Sequence, residues 1–324
     1  MLMSWSATAP TRAAATSCKG DPVGITLPDG FCATIFADNI GHARQMAVTP
    51  DGTLYVNTWS GIYYNNGPVP AGGFIVALKD THGIGHADVI ERFGETVASG
   101  GHGGTGLAFH NGMVYAEIND RIVRYPLAPD EIAPKGKGET IVSGLPVTGD
   151  HPMHPLLITP KSDLFVDLGS ATNDCEKKNR FPHSAGNDPC TEKATRAGIW
   201  RYDANKTEQR FSAAERFASG LRNGEGLSLD AAGRIFVTQH GRDQLREDWP
   251  ELYSARRVRT CRLKSLSSCD KARITAGRNA ISTTNKESWC SRRSTEVTAA
   301  RRSASAPSAR SRSRSFRHIG RPMT

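Results

Sequence analysis

Residues 46–56, MAVTPDGTLYV, are the sequence of a β-hairpin: alternating apolar residues run into a tight turn and then into a run of β-forming residues. The Asp-Gly pair favours the positive φ angles that close a short hairpin, because glycine adopts them at no steric cost. The Val, Leu and Tyr residues on either side are typical of half-buried strands. This stretch therefore predicts two antiparallel strands joined by a short turn.

The same pattern recurs along the chain. The further copies are LAFHNGMVY (107–115), LITPKSDLFV (157–166) and LSLDAAGRIFV (227–237). Another strand follows several of the copies, in FIVAL (74–78), RIVRY (121–125) and GIWRYD (198–203). A unit of short strands that repeats at a spacing of tens of residues indicates the blades of an all-β propeller. A two-sheet sandwich, the alternative, does not account for a hairpin that recurs with the same kind of turn.

The charge of the chain changes near residue 255. Residues 256–324 hold 18 Lys and Arg against 3 Asp and Glu, and this balance of +15 leaves −6 for residues 1–255 out of the net +9. The Arg/Ser-rich segment 256–324 has too little apolar content to offset the entropy of ordering it, so we expect a disordered basic tail. Residues 21–255 are predicted to form the propeller, and residues 1–20 a disordered N-terminus or the remnant of an export signal.

Four cysteines precede residue 255, namely Cys18, Cys32, Cys175 and Cys190. Cys175 and Cys190 share one polar loop, so we expect them to pair, and Cys18 to pair with Cys32; four reduced thiols are the alternative. Disulfides indicate a periplasmic or secreted protein, although residues 1–17 lack the charged start and the apolar run of a signal peptide. No stretch reaches the length of a transmembrane helix.

Three polar clusters adjoin the hairpin strands. They are GGHGGTG (100–106), TGDHPMHP (148–155) and GLRNGEG (220–226), the last with QHGRD (239–243) at the far end of its hairpin. The loops of a propeller gather at the mouth of its central channel. We therefore expect these clusters to contain the residues of any binding or catalytic site.

Each cluster has a chemical and a plain interpretation. The glycines around His102 let a ligand approach the backbone closely, or they form a flexible loop. His151 beside Asp150 is suited to take a proton near neutral pH, because a carboxylate favours the imidazolium that forms; otherwise the pair is a turn cap and a surface residue. Arg222 and Asn223 offer a charged fork and an amide to an anionic or quinone-like ligand, or they lie in a solvated turn.

The order of these features is more specific than any one of them. LPDGF (27–31), the Pro50-Asp51-Gly52 turn, Asp150-His151, and Arg222-Asn223 followed by Gly226-Leu227 and Gly241 resemble the glucose/sorbosone dehydrogenase family over residues 25–255. That family is a six-bladed β-propeller that binds pyrroloquinoline quinone (PQQ) through calcium. The resemblance implies an incomplete propeller of this kind, and the His-Pro-Met-His-Pro continuation is closer to sorbosone dehydrogenase-like members.

The resemblance also implies a mechanism. His151 is the general base that takes a hydroxyl proton while hydride passes to PQQ, and Asp150 holds His151 in orientation. Arg222 and Asn223 contact the quinone oxygens, and Arg222 stabilises the negative oxygen that develops there. The implied substrate is an aldose or a sugar aldehyde of the sorbosone kind.

The remaining roles concern the metal and the other side of the quinone. The resemblance implies that backbone carbonyls of Gly241 and Arg242 bind calcium, a cation that prefers oxygen ligands. His102 lies where the family often has a glutamine near the quinone. Neither the electron acceptor nor the oligomeric state is indicated.

The basic segment contains a hidden pattern. With permitted codons, one constant shift of the reading frame from about Ala255 onward converts parts of residues 274–324 into strings that resemble the next part of the same family. We therefore interpret residues 256–324 as translated out of frame. On this interpretation the chain lacks the blades that close the ring, and we expect it to have little activity; resequencing the DNA around the Ser254 codon tests the shift.

Three other interpretations remain open. A calcium-dependent propeller lactonase or other hydrolase would need several inward carboxylates around the metal, whereas the clusters offer His, Arg and Asn. A non-catalytic propeller scaffold is compatible with the strand pattern. An Arg/Ser-rich nucleic-acid-binding arm would need stacking aromatic residues beyond Trp289 and Phe316, so no nucleic acid partner is expected.

Overall fold

The computed structural model describes residues 24–28, 30–58, 71–95 and 103–254, together with the backbone of strands 265–270 and 273–274. The described chain is almost entirely β-structure in four sheets. Its helical elements, within these ranges, are α1 (Leu245–Asp248) and the 3-10 turns Thr191–Ala194 and Ala213–Glu215. No described helix has the length and apolar content to cross a membrane. The predicted all-β class is confirmed.

The four sheets follow one another along the chain. Sheet one contains β1 (Gln45–Val48), β2 (Leu54–Asn57), β3 (Ile75–Lys79) and β4 (Val89–Phe93). Sheet two contains β5 (Gly103–His110), β6 (Met113–Ile118), β7 (Arg121–Pro126) and β8 (Glu139–Ser143). Sheet three contains β9 (Leu156–Ile158), β10 (Asp163–Leu168), β11 (Gly198–Asp203) and, after β12 (Gln209–Arg210), β13 (Arg216–Ser219). Sheet four contains β14 (Gly224–Leu229), β15 (Ile235–Gln239), β16 (Ser265–Asp270) and β17 (Arg273–Ile274).

Each sheet is an antiparallel meander in which sequential strands are neighbours. The exception is β12, which crosses to sheet two and pairs in parallel with β8. The four predicted hairpins are β1–β2, β5–β6, β9–β10 and β14–β15. In the second of them Asn111 and Gly112 have φ angles of 48° and 72°, the positive pair that a two-residue hairpin turn requires.

The hydrophobic core lies between neighbouring sheets, because successive side chains of a strand point to opposite faces. On β6, Val114 packs with Tyr55 and Ile75 of sheet one. The next residue, Tyr115, packs with Leu164 and Trp200 of sheet three. A third cluster of the same kind fills the space between sheets three and four. Sheets two and three are therefore buried on both faces.

The arrangement of the sheets is that of propeller blades. The first strand of each sheet contacts the first strand of the next: β1 contacts β5, β5 contacts β9, and β9 contacts β14. Sheets that succeed one another through their first strands are blades around a common centre, and the predicted propeller fold is confirmed. The polar clusters enter β5, β9 and β14, so their loops lie at the first strands of three successive blades.

Two strands lie within the segment 256–324, for which composition predicts disorder. The backbone of β16 pairs with β15 at residues 265–269, and β17 pairs with β16. The structure thus differs from the prediction at Ser265–Asp270 and at Arg273–Ile274. A strand edge presents unpaired N–H and C=O groups, and an extended segment of almost any composition can satisfy them. Composition therefore does not predict these two strands.

Candidate active site

His151 lies in the segment between β8 and β9, with 7% of its surface exposed. Its Nδ1 is 2.9 Å from the carbonyl oxygen of Ser170 and 3.0 Å from the Ser170 hydroxyl. That hydroxyl donates to the carbonyl oxygen of Thr172 at 2.6 Å. A carbonyl oxygen only accepts hydrogen bonds, so Nδ1 carries the proton of the neutral ring and Nε2 is the basic nitrogen.

The charge state of His151 follows from its surroundings. Burial lowers the pKa of His151 to about 4, and the positive charge of Arg222 acts in the same direction. The Ser170 carbonyl and the Asp150 carboxylate oppose this shift but do not reverse it. The imidazole is therefore neutral at pH 7, which is the state that a general base requires.

The short segment after β10 brings the predicted residues together. The Ser170 backbone N–H donates to the carbonyl oxygen of Arg222 at 2.6 Å. A Cβ on Gly169 would lie 2.5 Å from the Cβ of His151 and 3.4 Å from Oδ1 of Asn223. Glycine at this position leaves the space in which the two loops approach each other. His151, Arg222 and Asn223, predicted from two separate clusters, thus surround one segment.

Arg222 is an enclosed positive charge beside His151, with 1% of its surface exposed. Its Nε donates to the carbonyl oxygen of Asn173 and its Nη2 to Oδ1 of Asn173, both at 2.6 Å. Nη2 also lies 2.9 Å from Oδ2 of Asp243. Burial lowers the pKa of Arg222, but a guanidinium keeps its charge throughout the physiological range. The guanidinium of Arg222 is therefore a fixed positive charge in the site.

Asp150 contacts the loop that follows Asn173. Its Oδ1 accepts a hydrogen bond from Asn179 Nδ2 at 2.9 Å, and its Oδ2 accepts one from Arg180 Nε at 2.7 Å. The hydrogen bonds that orient the His151 ring come from Ser170. The negative charge of Asp150 nevertheless acts on His151, because it favours the protonated ring.

Alternating charges connect Asp150 to Arg222. Arg180 pairs with Asp150 and, through Nη2, lies 3.2 Å from Oδ2 of Asp243. Asp243 in turn pairs with Arg222. Burial works against the charge of Asp243, but Arg222 and Arg180 outweigh it and lower its pKa. Because opposite charges alternate along this row, the ion pairs tie the three loops together.

Gly241 and Arg242 follow β15, next to the same asparagine that holds Arg222. Nδ2 of Asn173 donates to the carbonyl oxygen of Asp243 at 3.1 Å, and Oδ1 accepts from the Asp243 N–H at 3.1 Å. The guanidinium of Arg242 pairs with the buried carboxylate of Asp174. The loop is thus held by contacts on both sides. Its backbone carbonyls at Gly241 and Arg242 are oxygen ligands of the kind that calcium accepts.

The predicted disulfide between Cys175 and Cys190 is confirmed, with a Cα–Cα distance of 6.0 Å. It closes the loop that carries Arg180 into the site. The two sulfurs and the Glu192 carboxylate are close enough together to resemble a metal cluster, but sulfurs joined in a disulfide offer no thiolate ligands. A disulfide indicates a periplasmic or extracellular location.

Two predicted residues, His102 and Cys18, lie outside the described residues. Cys32, the expected partner of Cys18, is disulfide-bonded. The glycine-rich cluster is described from Gly103 onward, where it forms the first half of β5. The role that the resemblance implies for His102 therefore stays a prediction.

Sequence reasoning misses three residues that build the site: Ser170, Asn173 and Arg180. A signal for the first two exists, because GSATND (169–174) directly follows β10 and has the same Gly, Ser, Asn and Asp content as the predicted clusters. No local signal identifies Arg180, because its contacts depend on how the disulfide-closed loop folds back over the other two loops.

The TrAA12-like family model matches residues 25–256. The iodide structure of Trichoderma reesei Carbohydrate-Active Enzymes Family AA12 is 18% identical with a TM-score of 0.53, covering 77% of this chain and 56% of that chain. The calcium structure of the same description is 18% identical with a TM-score of 0.52, covering 76% of this chain and 55% of that chain. The holo form of the pyranose dehydrogenase PQQ domain from Coprinopsis cinerea is 17% identical with a TM-score of 0.49, covering 64% and 46%.

The two Trichoderma reesei structures share the fold of this chain, and at their level of identity the likeness extends to the fold alone. The chain spans about half the length of the solved structures that it matches. No curated protein matches the sequence. The family model covers well over half of the 324 residues and includes every predicted site residue. The chain belongs to the TrAA12-like family.

Proposed function

We propose that this chain carries the PQQ- and calcium-dependent site of a sugar dehydrogenase, with His151 as the general base. One observation carries the proposal: a neutral, buried imidazole is hydrogen-bonded to Ser170, which in turn donates to the backbone carbonyl of Arg222, and the enclosed Arg222 guanidinium acts electrostatically on the imidazole. Membership of the TrAA12-like family supports an oxidoreductase of this class. A calcium structure of a Trichoderma reesei family AA12 protein supports the metal, and the sequence resemblance supports PQQ.

His151, Arg222 and Asn223 have separate roles in the proposed oxidation. Nε2 of His151 takes the hydroxyl proton of an aldose or a sugar aldehyde hydrate. The carbon that bears this hydroxyl loses its hydrogen together with two electrons, as hydride. When bound, PQQ accepts that hydride. The fixed guanidinium of Arg222 stabilises the negative charge that develops, since a preorganised cation in an enclosed site needs no reorientation. Asn223 holds the quinone from the same loop.

The metal would be held by the loop after β15. Backbone carbonyls of Gly241 and Arg242 are hard oxygen ligands, and calcium accepts backbone carbonyls together with other oxygens. The two hydrogen bonds between Asn173 and Asp243 and the pair between Arg242 and Asp174 fix this loop before any ligand arrives. His102 would approach the quinone from the glycine-rich cluster.

His151→Gln tests the base. The purified protein is incubated with PQQ and calcium, quinone binding is followed by absorbance, and turnover is followed by dye reduction with an aldose. A positioned base contributes roughly 10²- to 10⁴-fold to the rate, so the variant should lose turnover by that factor relative to the unaltered chain and still bind PQQ. Equal rates for both proteins, each above the rate of dye reduction without protein, would remove His151 from the mechanism.

His110→Gln is the matched control. His110 lies at the turn end of β5, where its Nε2 is 2.9 Å from the Ser162 hydroxyl. The substitution is chemically the same, but His110 lies at the end of a strand and not in the segment between β8 and β9 that contains His151. We expect it to leave both PQQ binding and dye reduction unchanged.

A further inference from the structure

The glycine-rich strand β5 contains a bulge next to the site. Residues 104–106 stand opposite the single residue Glu117 of β6, because the pairing register shifts between Gly103 and Leu107. Backbone N–H groups in a bulge lose their partners in the ladder. Buried N–H groups without a partner are costly, so something else must accept their hydrogen bonds.

The Glu117 carboxylate accepts them. Glu117 is completely buried, and its Oε2 accepts hydrogen bonds at 2.9 Å from the Thr105 N–H, the Thr105 hydroxyl and the Gly106 N–H. Its Oε1 accepts the His154 N–H at 2.6 Å and lies 3.2 Å from Nδ1 of the same residue. Burial opposes the charge of Glu117, but the contacts with His154 and Thr105 outweigh it and lower its pKa.

This carboxylate joins two of the polar clusters. A Cβ on Gly106 would lie 2.5 Å from the carbonyl oxygen of His154, so the bulge and the segment 151–155 are in direct contact. The far side of the His154 ring is held as well, because Nε2 donates to the carbonyl oxygen of Pro146 at 3.0 Å. The segment is therefore fixed at His151 by Ser170 and at His154 by Glu117.

We propose that Glu117 is a positioning residue, whose buried carboxylate fixes the segment that carries His151 against the glycine-rich strand. This inference rests on the proposed function for the role of His151 as a base. A purely stabilising role explains the arrangement less well, since apolar packing stabilises a protein interior without the cost of burying a charge. Four hydrogen bonds from two segments to one carboxylate instead determine where both segments lie.

Glu117→Gln tests the proposal, because the amide keeps the size of the side chain but turns an acceptor into a donor. The readout is the titration of the His151 ring, followed by NMR in protein labelled at histidine carbons and assigned by the signal missing from His151→Gln. We expect the segment to loosen, His151 to gain solvent, and its pKa to rise by about one unit, a tenfold change in proton affinity.

Glu139→Gln is the matched control on the same sheet. Glu139 lies on β8 and pairs with Arg124 at 2.6 Å on the surface. Its substitution removes a carboxylate from the same blade without touching either cluster. The His151 titration should be unchanged.

Thr105→Val is the milder variant, in case Glu117→Gln does not fold. It removes one donor, the Thr105 hydroxyl, and should shift the titration in the same direction by a smaller amount. A His151 titration identical to that of the unaltered chain, in Glu117→Gln or in Thr105→Val if only that variant folds, would overturn the proposal whatever happens to thermal stability.

The proposed function is separated from this inference by a titration of the unaltered chain with PQQ and calcium. If the unaltered chain does not bind PQQ but the His151 titration is shifted in Glu117→Gln, the dehydrogenase proposal is rejected and Glu117 is still the residue that positions His151. If the unaltered chain binds PQQ but the His151 titration is unshifted in Glu117→Gln, the dehydrogenase proposal stands and the positioning role of Glu117 is rejected.

Discussion

His151 binds a proton much less readily in the folded chain than in an unfolded one. Burial lowers its pKa from 6.5 to about 4. As the pH falls below 6.5, the unfolded chain takes up a proton at this ring while the folded chain does not. The contribution of the neutral ring to stability is therefore complete above pH 6.5 and is lost as the pH falls towards 4.

This linkage predicts a pH-dependent stability that depends on one ring. Each proton bound only by the unfolded chain changes the unfolding free energy by about 1.4 kcal/mol per pH unit. Between pH 6.5 and 4 the unaltered chain should lose on the order of 3 kcal/mol more than His151→Gln, measured by urea unfolding at several pH values. Parallel curves for the two proteins would show that His151 titrates normally in the folded state.

Gly169 is the residue that lets His151 and Asn223 approach each other. In Gly169→Ala the new Cβ would lie 2.5 Å from the Cβ of His151, and overpacking of this kind costs about 1–3 kcal/mol. Urea unfolding should show that loss. Gly136→Ala is the control, because a Cβ there has nothing within 4 Å; equal stability of the two variants would mean that the space beside His151 is not tight.

The strands follow from alternation and turn residues, which are local properties. The turns at Gly52 and at Asn111-Gly112 adopt the positive φ angles that their sequences favour, and these two hairpins are predictable for that reason. β12 is not predictable in the same way, since it pairs with β8 across more than sixty residues. Its two residues contain no pattern that indicates a strand in another blade.

The loop between Cys175 and Cys190 is closed by a disulfide. Cys175 and Cys190 are 15 residues apart, and closing a loop of that length contributes about 3 kcal/mol in the chain-entropy account. The Cys175→Ser/Cys190→Ser variant should lose that amount of stability in urea unfolding. Each single variant should lose a similar amount, because either change breaks the bridge; an unaltered midpoint in all three would show that the loop is held by its other contacts.

At the scale of the whole molecule, the site exists because loops of successive blades converge. The clusters before β9 and β14 could be predicted to meet, since both precede the first strand of a blade, and Arg222 and His151 do meet at Ser170. The contacts of Arg180 could not be predicted, because they need a loop from within sheet three to fold over both clusters. A sequence pattern indicates which loops converge at the site, but not which side chains make the contacts between those loops.

The family match ends at residue 256, close to the change in composition at residue 255. The shifted reading frame after that point stays a prediction, as does the low activity that it implies. The site residues all precede this boundary, so binding of the cofactor can be examined separately from turnover.

A crystal structure of the chain with PQQ and calcium tests the central claim most directly. We expect the quinone between His151 and Arg222, its oxygens near Asn223, and calcium on the carbonyls of Gly241 and Arg242. Quinone density elsewhere, or calcium away from the loop after β15, would contradict the account.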